Sequence, residues 1–303
     1  MTAMGTIIQH PQLEADKAAV EQVRETWAKW PERVLGPEGR AGFDKQLESK
    51  RAAPGVTYED SKVGGVPGVW CKPANADRGT AILYFHGGAY VQGSAKAFRN
   101  YVGQIASRAN AATFAVDYRL APEYPYPAAV DDALAAYSGL AERSRSIVIA
   151  GDSAGGGLAL VTLALVNKTN RPAKGAVVLS PWTDMALESP SLTTKASNDP
   201  MLKLAPVAAA AKMYLGKHDA RDPRVSPLYG DLSALPPVHM HVGEAEIMLD
   251  DAVRYAEKNP NAVLHVWQGM PHVFPVSVGF YKAADEAQEI IGAFIRERLH
   301  AAV

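Results

Sequence analysis

Cysteine is nearly missing from this 303-residue chain, and its one example, Cys71, has no partner for an internal disulfide. Nothing therefore ties the fold to an oxidising compartment. Cys71 lies in VPGVWCKP, an apolar run in which an inert buried thiol is expected rather than a nucleophile. A surplus of charge of either sign is also lacking. The 31 Lys and Arg oppose 32 Asp and Glu, for a net charge of −1, which argues against nucleic acid as a partner. No apolar run is long enough to span a bilayer; the strongest, Leu158 to Val166, is too short. The first residues, MTAMGTIIQHPQLEADK, carry neither a basic start nor an export-length apolar stretch, so a cytoplasmic protein with no membrane partner is expected.

What is present is a 48% hydrophobic, 21% charged composition, ordinary for a globular protein. Residues 1–54 are polar and mostly helical in character, beginning with LEADKAAVEQVRETWAKW, which ends before Pro31. From Val56 the pattern changes to two strands about the Gly64-Gly65 turn. Short β-rich runs then alternate with helical ones: strands at 81–85, 113–118, 146–150, 177–180, 238–242 and 263–267. Helices are read at 98–108, 128–142, 156–167, 250–258 and 281–300. This alternation predicts an α/β fold with a mostly parallel sheet covered on both faces. The interval from 183 to 218 breaks the rhythm and reads as a helical insertion over the sheet. The division expected is thus 1–54 as a helical appendage and 55–303 as the main α/β unit carrying that insertion.

Ligands of such sheets bind beyond the carboxyl ends of the strands. There, SIVIAGDSAGGG places Ser153 between a strand and a helix, flanked by Gly151 and Gly155. That arrangement suits a nucleophile on a tight turn whose neighbours cannot carry Cβ atoms. A phosphate loop fits poorly, because no Lys follows the glycines. After strand 81–85 comes His86-Gly87-Gly88-Ala89. A tetrahedral acyl intermediate needs converging backbone N–H groups, and those of Gly87, Gly88 and Ala154 are the candidates. Of the histidines after Ser153, His239, His241 and His265 lie within strand patterns, whereas His272 lies in QGMPHVF just past one and can reach the serine. His239 and His241 share a face, but no third ligand of suitable spacing accompanies them, so no metal is expected. The acid that orients the base should follow a strand end between Ser153 and His272. HVGEAEIMLDD offers Glu244, Glu246, Asp250 and Asp251; the last two open a helix, where first-turn charge explains them.

The HGGA and GDSAGG motifs together resemble the hormone-sensitive-lipase-like, or bacterial family IV, esterases of the α/β-hydrolase superfamily. DYRLAPEYPYPAA, SPWTD, DPRVSPL and GMPHVF match that family as well, so the likeness covers residues 56 to 300. The resemblance implies an α/β-hydrolase fold with residues 1–54 and 183–218 as the two parts of a helical cap over a catalytic domain at 55–303, no cofactor, and hydrolysis of short- to medium-chain acyl esters. In the family's order of serine, acid, histidine, His86 precedes the nucleophile, so loop-holding is its expected part. The family's catalytic histidine falls on His272. Its D-P-L-x-D-[ED] pattern lays the catalytic Asp on Glu246, a departure in which Glu replaces Asp and Ile replaces Pro. Trp182, Met201, Leu202, Tyr90 and Val273 are candidates to contact the ester substrate, with ordinary packing as the competing explanation. A lactone hydrolase or arylformamidase would use the same machinery. A non-catalytic small-molecule receptor is disfavoured by the presence of His272, and a peptidase by the want of room for a further domain. Relatives occur as monomers and as homodimers, and no feature of the chain decides between them.

Overall fold

Val-, Ile- and aromatic-rich runs suit a pleated surface, and where both faces are covered they read as continuous apolar stretches. The computed structural model describes residues 4–29 and 34–301. Nine strands form one sheet: β1 (Thr6–His10), β2 (Val56–Val63), β3 (Val66–Pro73), β4 (Thr80–Phe85), β5 (Thr113–Val116), β6 (Ser146–Asp152), β7 (Gly175–Leu179), β8 (Val238–Gly243) and β9 (Ala262–Trp267). Their order is β1-β9-β8-β7-β6-β4-β5-β3-β2. Only β3 runs against the others, through its antiparallel pairs with β2 and β5. The helices are α1 (Lys17–Ala28), α2 (Arg40–Glu48), α3 (Ala95–Ala109), α4 (Ala128–Ala141), α5 (Ala154–Val166), α6 (Ser191–Thr194), α7 (Leu204–Leu215), α8 (Leu249–Lys258) and α9 (Lys282–His300). Among the described residues no helix is long and apolar enough to cross a membrane.

Alternation along β4 divides the core. Ile82 and Tyr84 join Phe98, Tyr101 and Ile295 of α3 and α9 on one face. Leu83 and Phe85 join Ala133, Leu158 and Leu163 of α4 and α5 on the other. After β4 the chain passes through α3 to β5 on one side, then returns through α4 to β6 on the other. The loops leaving β4 and β6 therefore diverge, and the crevice between them is where this architecture binds ligands.

Two features of the first segment differ from the helical reading of 1–54. Thr6–His10 is a strand, paired in parallel with β9 so that Ile8 lies opposite His265. As an edge strand it has no buried residue, so the period-two signal that reveals core strands is missing. The helix read from residue 13 starts at Lys17 after a 3-10 turn over Glu14–Asp16. The turn serves a remote partner: the Asp16 carboxylate accepts the N–H groups of Lys282 (2.6 Å) and Ala283 (2.9 Å), capping α9. Pro31, read as that helix's stop, lies outside the described residues.

Candidate active site

Ser153 joins β6 directly to α5 with φ 53° and ψ −120°, a backbone conformation costly for a residue with a side chain. Its neighbours make the turn feasible by carrying no Cβ. One on Gly155 would lie 2.1 Å from the Phe85 carbonyl oxygen, and one on Gly151 2.3 Å from that of Gly155. The hydroxyl is thereby set at the start of α5, where peptide dipoles favour negative charge.

The loop after β9 brings His272 Nε2 to 3.0 Å from Ser153 Oγ. On its other side, Nδ1 lies 2.5 Å from Glu246 Oε2. Val273 follows at φ 52° and donates its N–H to Ser180 Oγ at 3.0 Å, pinning this loop to the end of β7. Glu246 is fully buried between β8 and α8, and its Oε1 accepts the Gly243 N–H at 3.2 Å. Burial pushes the Glu246 carboxyl above its ordinary value, with the His272 imidazole opposing. Burial, the largest single influence, would lower His272, but the carboxylates of Glu246 first, then Asp199 and Asp152, together hold the imidazole above its ordinary value.

The other carboxylates of HVGEAEIMLDD are engaged elsewhere. Glu244 pairs with Lys195. Asp250 accepts the Ser191 N–H at 2.8 Å. Asp251 is more than a first-turn charge: it is buried and accepts the N–H groups of Thr183 (2.7 Å) and Asp184 (2.9 Å). Burial pushes it up to about 7.

The loop after β4 corrects the expected donor set. The Gly87 N–H is taken by Asp152 Oδ1 at 2.9 Å and is not available to an oxyanion. Asp152 also accepts from Tyr84 Oη at 2.5 Å, and burial pushes its carboxyl up to about 6. This carboxylate, beside Ser153, fastens the glycine loop to the nucleophile's turn. Among the described residues the N–H groups of Gly88, Ala89 and Ala154 have no hydrogen-bond partner. Ala89, at φ 55°, thus presents a free N–H that sequence reasoning did not single out; its signal was its place as fourth residue of the HGGA run. His86 stacks on Tyr118 at 4.4 Å, and its Nδ1 lies 2.8 Å from the Gly87 carbonyl, in keeping with a loop-holding part.

Ser153 and His272 open onto a cavity of about 440 Å³. Trp182, Met201, Leu202 and Val273 line it, as do Gly88 and Ala89. Tyr90 does not: the positive φ of 63° turns its side chain into the core, where it stacks face to face on Tyr214 at 3.9 Å. The expectation that Tyr90 meets substrate is corrected accordingly. Val23 and Trp27 of α1 and Phe43 of α2 form another wall.

Away from this cavity, the register of β8 and β9 supplies the third histidine that spacing alone did not reveal. His265 lies opposite His241, and nitrogens of His239, His241 and His265 fall within 4.8 Å of one another. The rings of His241 and His265 are stacked 4.6 Å apart at 6°, so their in-plane lone pairs run side by side instead of converging on an ion. Trp267 Nε1–H donates to His241 Nδ1 at 3.3 Å, leaving that ring's proton on Nε2. His239 stacks in turn on Phe294 of α9 at 4.1 Å. The group is an aromatic ladder beneath a helix. Burial lowers His239 and His265 to about 4. Between their ordinary value near 6.5 and about 4, the unfolded chain binds more protons than the folded one, so stability falls as pH drops through that window. The melting temperature of His239→Phe should therefore rise relative to that of wild type between pH 7 and pH 4; a difference that does not change with pH would refute this account.

A family model described as alpha/beta hydrolase fold matches residues 82–276. The chain is 38% identical to an acetyl-hydrolase of Streptomyces hygroscopicus over 242 residues, 77% of this chain and 81% of that one. It is 36% identical to an esterase of Acinetobacter venetianus over 250 residues, 80% and 82% of the two chains. Among solved structures, a hormone-sensitive lipase from a metagenome library is similar at TM-score 0.87 and 35% identity, covering 95% of this chain and 99% of that one. An esterase of the bacterial hormone-sensitive lipase family is similar at TM-score 0.86 and 35% identity, with the same coverage. With a family model matching most of the chain and relatives this similar over most of both chains, the chain belongs to the α/β-hydrolase fold family, in its branch of bacterial hormone-sensitive-lipase-like esterases.

Proposed function

We propose that this ester hydrolase works through an acyl-enzyme formed on Ser153, with His272 as base and Glu246 as the acid of the triad. The observation that supports the reading most is the unbroken series of contacts from Glu246 through His272 to Ser153 Oγ at the cavity wall. The Ser153 oxygen attacks the ester carbonyl carbon while its proton passes to His272 Nε2. The carbonyl becomes an oxyanion that Gly88, Ala89 and Ala154 stabilise through their N–H groups. The tetrahedral carbon then expels the alkoxide, which takes the proton from His272. Water enters, gives a proton to His272 and attacks the acyl carbon; Ser153 leaves with that proton. Every proton moved has a residue to carry it, so no cofactor is invoked.

Short- to medium-chain acyl esters are the substrates proposed, in keeping with a cavity of about 440 Å³ whose walls include Trp182, Leu202 and Val273. We take the enzyme to work in the cytoplasm, where its single buried thiol, Cys71, would stay reduced. A panel of p-nitrophenyl esters from acetate to palmitate, with one lactone, tests the substrate class. Turnover of the short members, falling steeply toward the long ones, is expected. Inactivity across the esters would sink the proposal, and faster opening of the lactone would reassign the substrate.

A further inference from the structure

One carboxylate beside the proposed triad has no part in that mechanism. Asp199, between α6 and α7, is only 1% exposed. Its Oδ1 accepts the N–H groups of Met201 (2.7 Å) and Leu202 (2.8 Å), both of which line the cavity. Its Oδ2 accepts the N–H of Ile247 at 2.9 Å, the residue next to Glu246. Among the described residues, no ion pair involves the Asp199 carboxylate; Lys203 Nζ binds its backbone carbonyl instead, at 2.9 Å. Only a carboxylate accepts at both of its oxygens, so an amide in its place would turn donor hydrogens toward one side of this contact set, yet a buried charge without a counterion is costly.

We propose that Asp199 is a positioning residue for ester hydrolysis, one that fixes the Glu246 loop through Ile247, ties it to the pocket wall at Met201 and Leu202, and holds negative charge near the imidazolium of His272. The inference rests on the Ser153–His272–Glu246 reading. The charged groups facing His272 are Glu246, Asp199 and Asp152, and each favours its protonated form. Imidazolium appears during both proton transfers, so a second carboxylate that strengthens it acts when the barrier is crossed. The same bonds make the floor of the pocket and the acid loop one mechanical unit.

The test is Asp199→Asn, nearly equal in shape but uncharged, with Asp199→Ser as a smaller neutral replacement should the first not fold. Both are compared with wild type in kcat/KM for p-nitrophenyl butyrate from pH 5 to pH 9. Activity needs neutral His272, so loss of a nearby negative charge should move the acid limb to lower pH by about half a unit or more. The plateau kcat should fall roughly tenfold through looser placement of the acid. An acid limb that stays in place while activity falls equally at every pH would overturn the inference and leave Asp199 as a backbone strut. That failure is distinct from failure of the triad reading, which would appear as activity surviving in Ser153→Ala.

Discussion

Ser153→Ala should lower kcat for p-nitrophenyl butyrate by about a million-fold, leaving a residue of rate from binding and oxyanion donors alone. The size of the effect follows from what the hydroxyl does: without Oγ there is no acyl-enzyme, and His272 has no proton to accept at 3.0 Å. Alanine keeps the Cβ that the turn already accommodates at φ 53°, so the fold and the Gly88–Ala89 loop should persist. Thermal melting close to that of wild type separates loss of chemistry from loss of structure. Wild-type protein should also be inactivated stoichiometrically by an organophosphate, and the variant should not be modified. Retention of more than about one hundredth of the activity would exclude Ser153 as the nucleophile.

Glu246→Gln should cost about ten-thousandfold in kcat, since an amide facing Nδ1 can hold the imidazole in the tautomer that cannot take the serine's proton. The acid limb of kcat/KM, expected above the ordinary histidine value of about 6.5 in wild type, should move down as the carboxylate that raises it is removed. Asp250→Ala is the companion. It removes the acceptor of the Ser191 N–H and should lower stability by about 1 kcal/mol with turnover near wild type. Loss of activity in Asp250→Ala alone, with Glu246→Gln still active, would transfer the acid's role to Asp250.

Residue type and position along the chain were enough to read most of the sheet and its helices and to single out Ser153 and His272, because each of these two lies just past a strand whose apolar run announces it, whereas Glu246 was chosen among four carboxylates only through the family's D-P-L-x-D-[ED] pattern. What escaped depended on contacts made across the fold. Gly87 looked like a donor until the Asp152 carboxylate, brought alongside through the pairing of β4 with β6, was found on its N–H. Tyr90 looked like a pocket residue because it follows the glycine loop, yet a positive φ reverses the direction its side chain takes. His265 became a neighbour of His241 only through strand register. Asp199, in a loop with no periodic signal, reveals itself only by which amides it accepts. β1 was missed for a different reason: Ile7 and Ile8 are 37% and 38% exposed, so the strand carries no inward-facing stripe.

That last strand changes how the pocket wall is held. β1 and β2 are the two outermost strands of a nine-stranded sheet, so their attachment points lie roughly 40 Å apart at ordinary strand spacing. The described residues 11–29 and 34–55, which contribute α1 and α2 to the cavity, are therefore fastened near both rims. Asp16 adds a rivet onto α9 near one end, and Arg40 another through the carbonyls of Val91 and Ala121. The wall that α1 and α2 give the cavity is thereby tied to the two ends of the sheet as well as to the side chains beneath it.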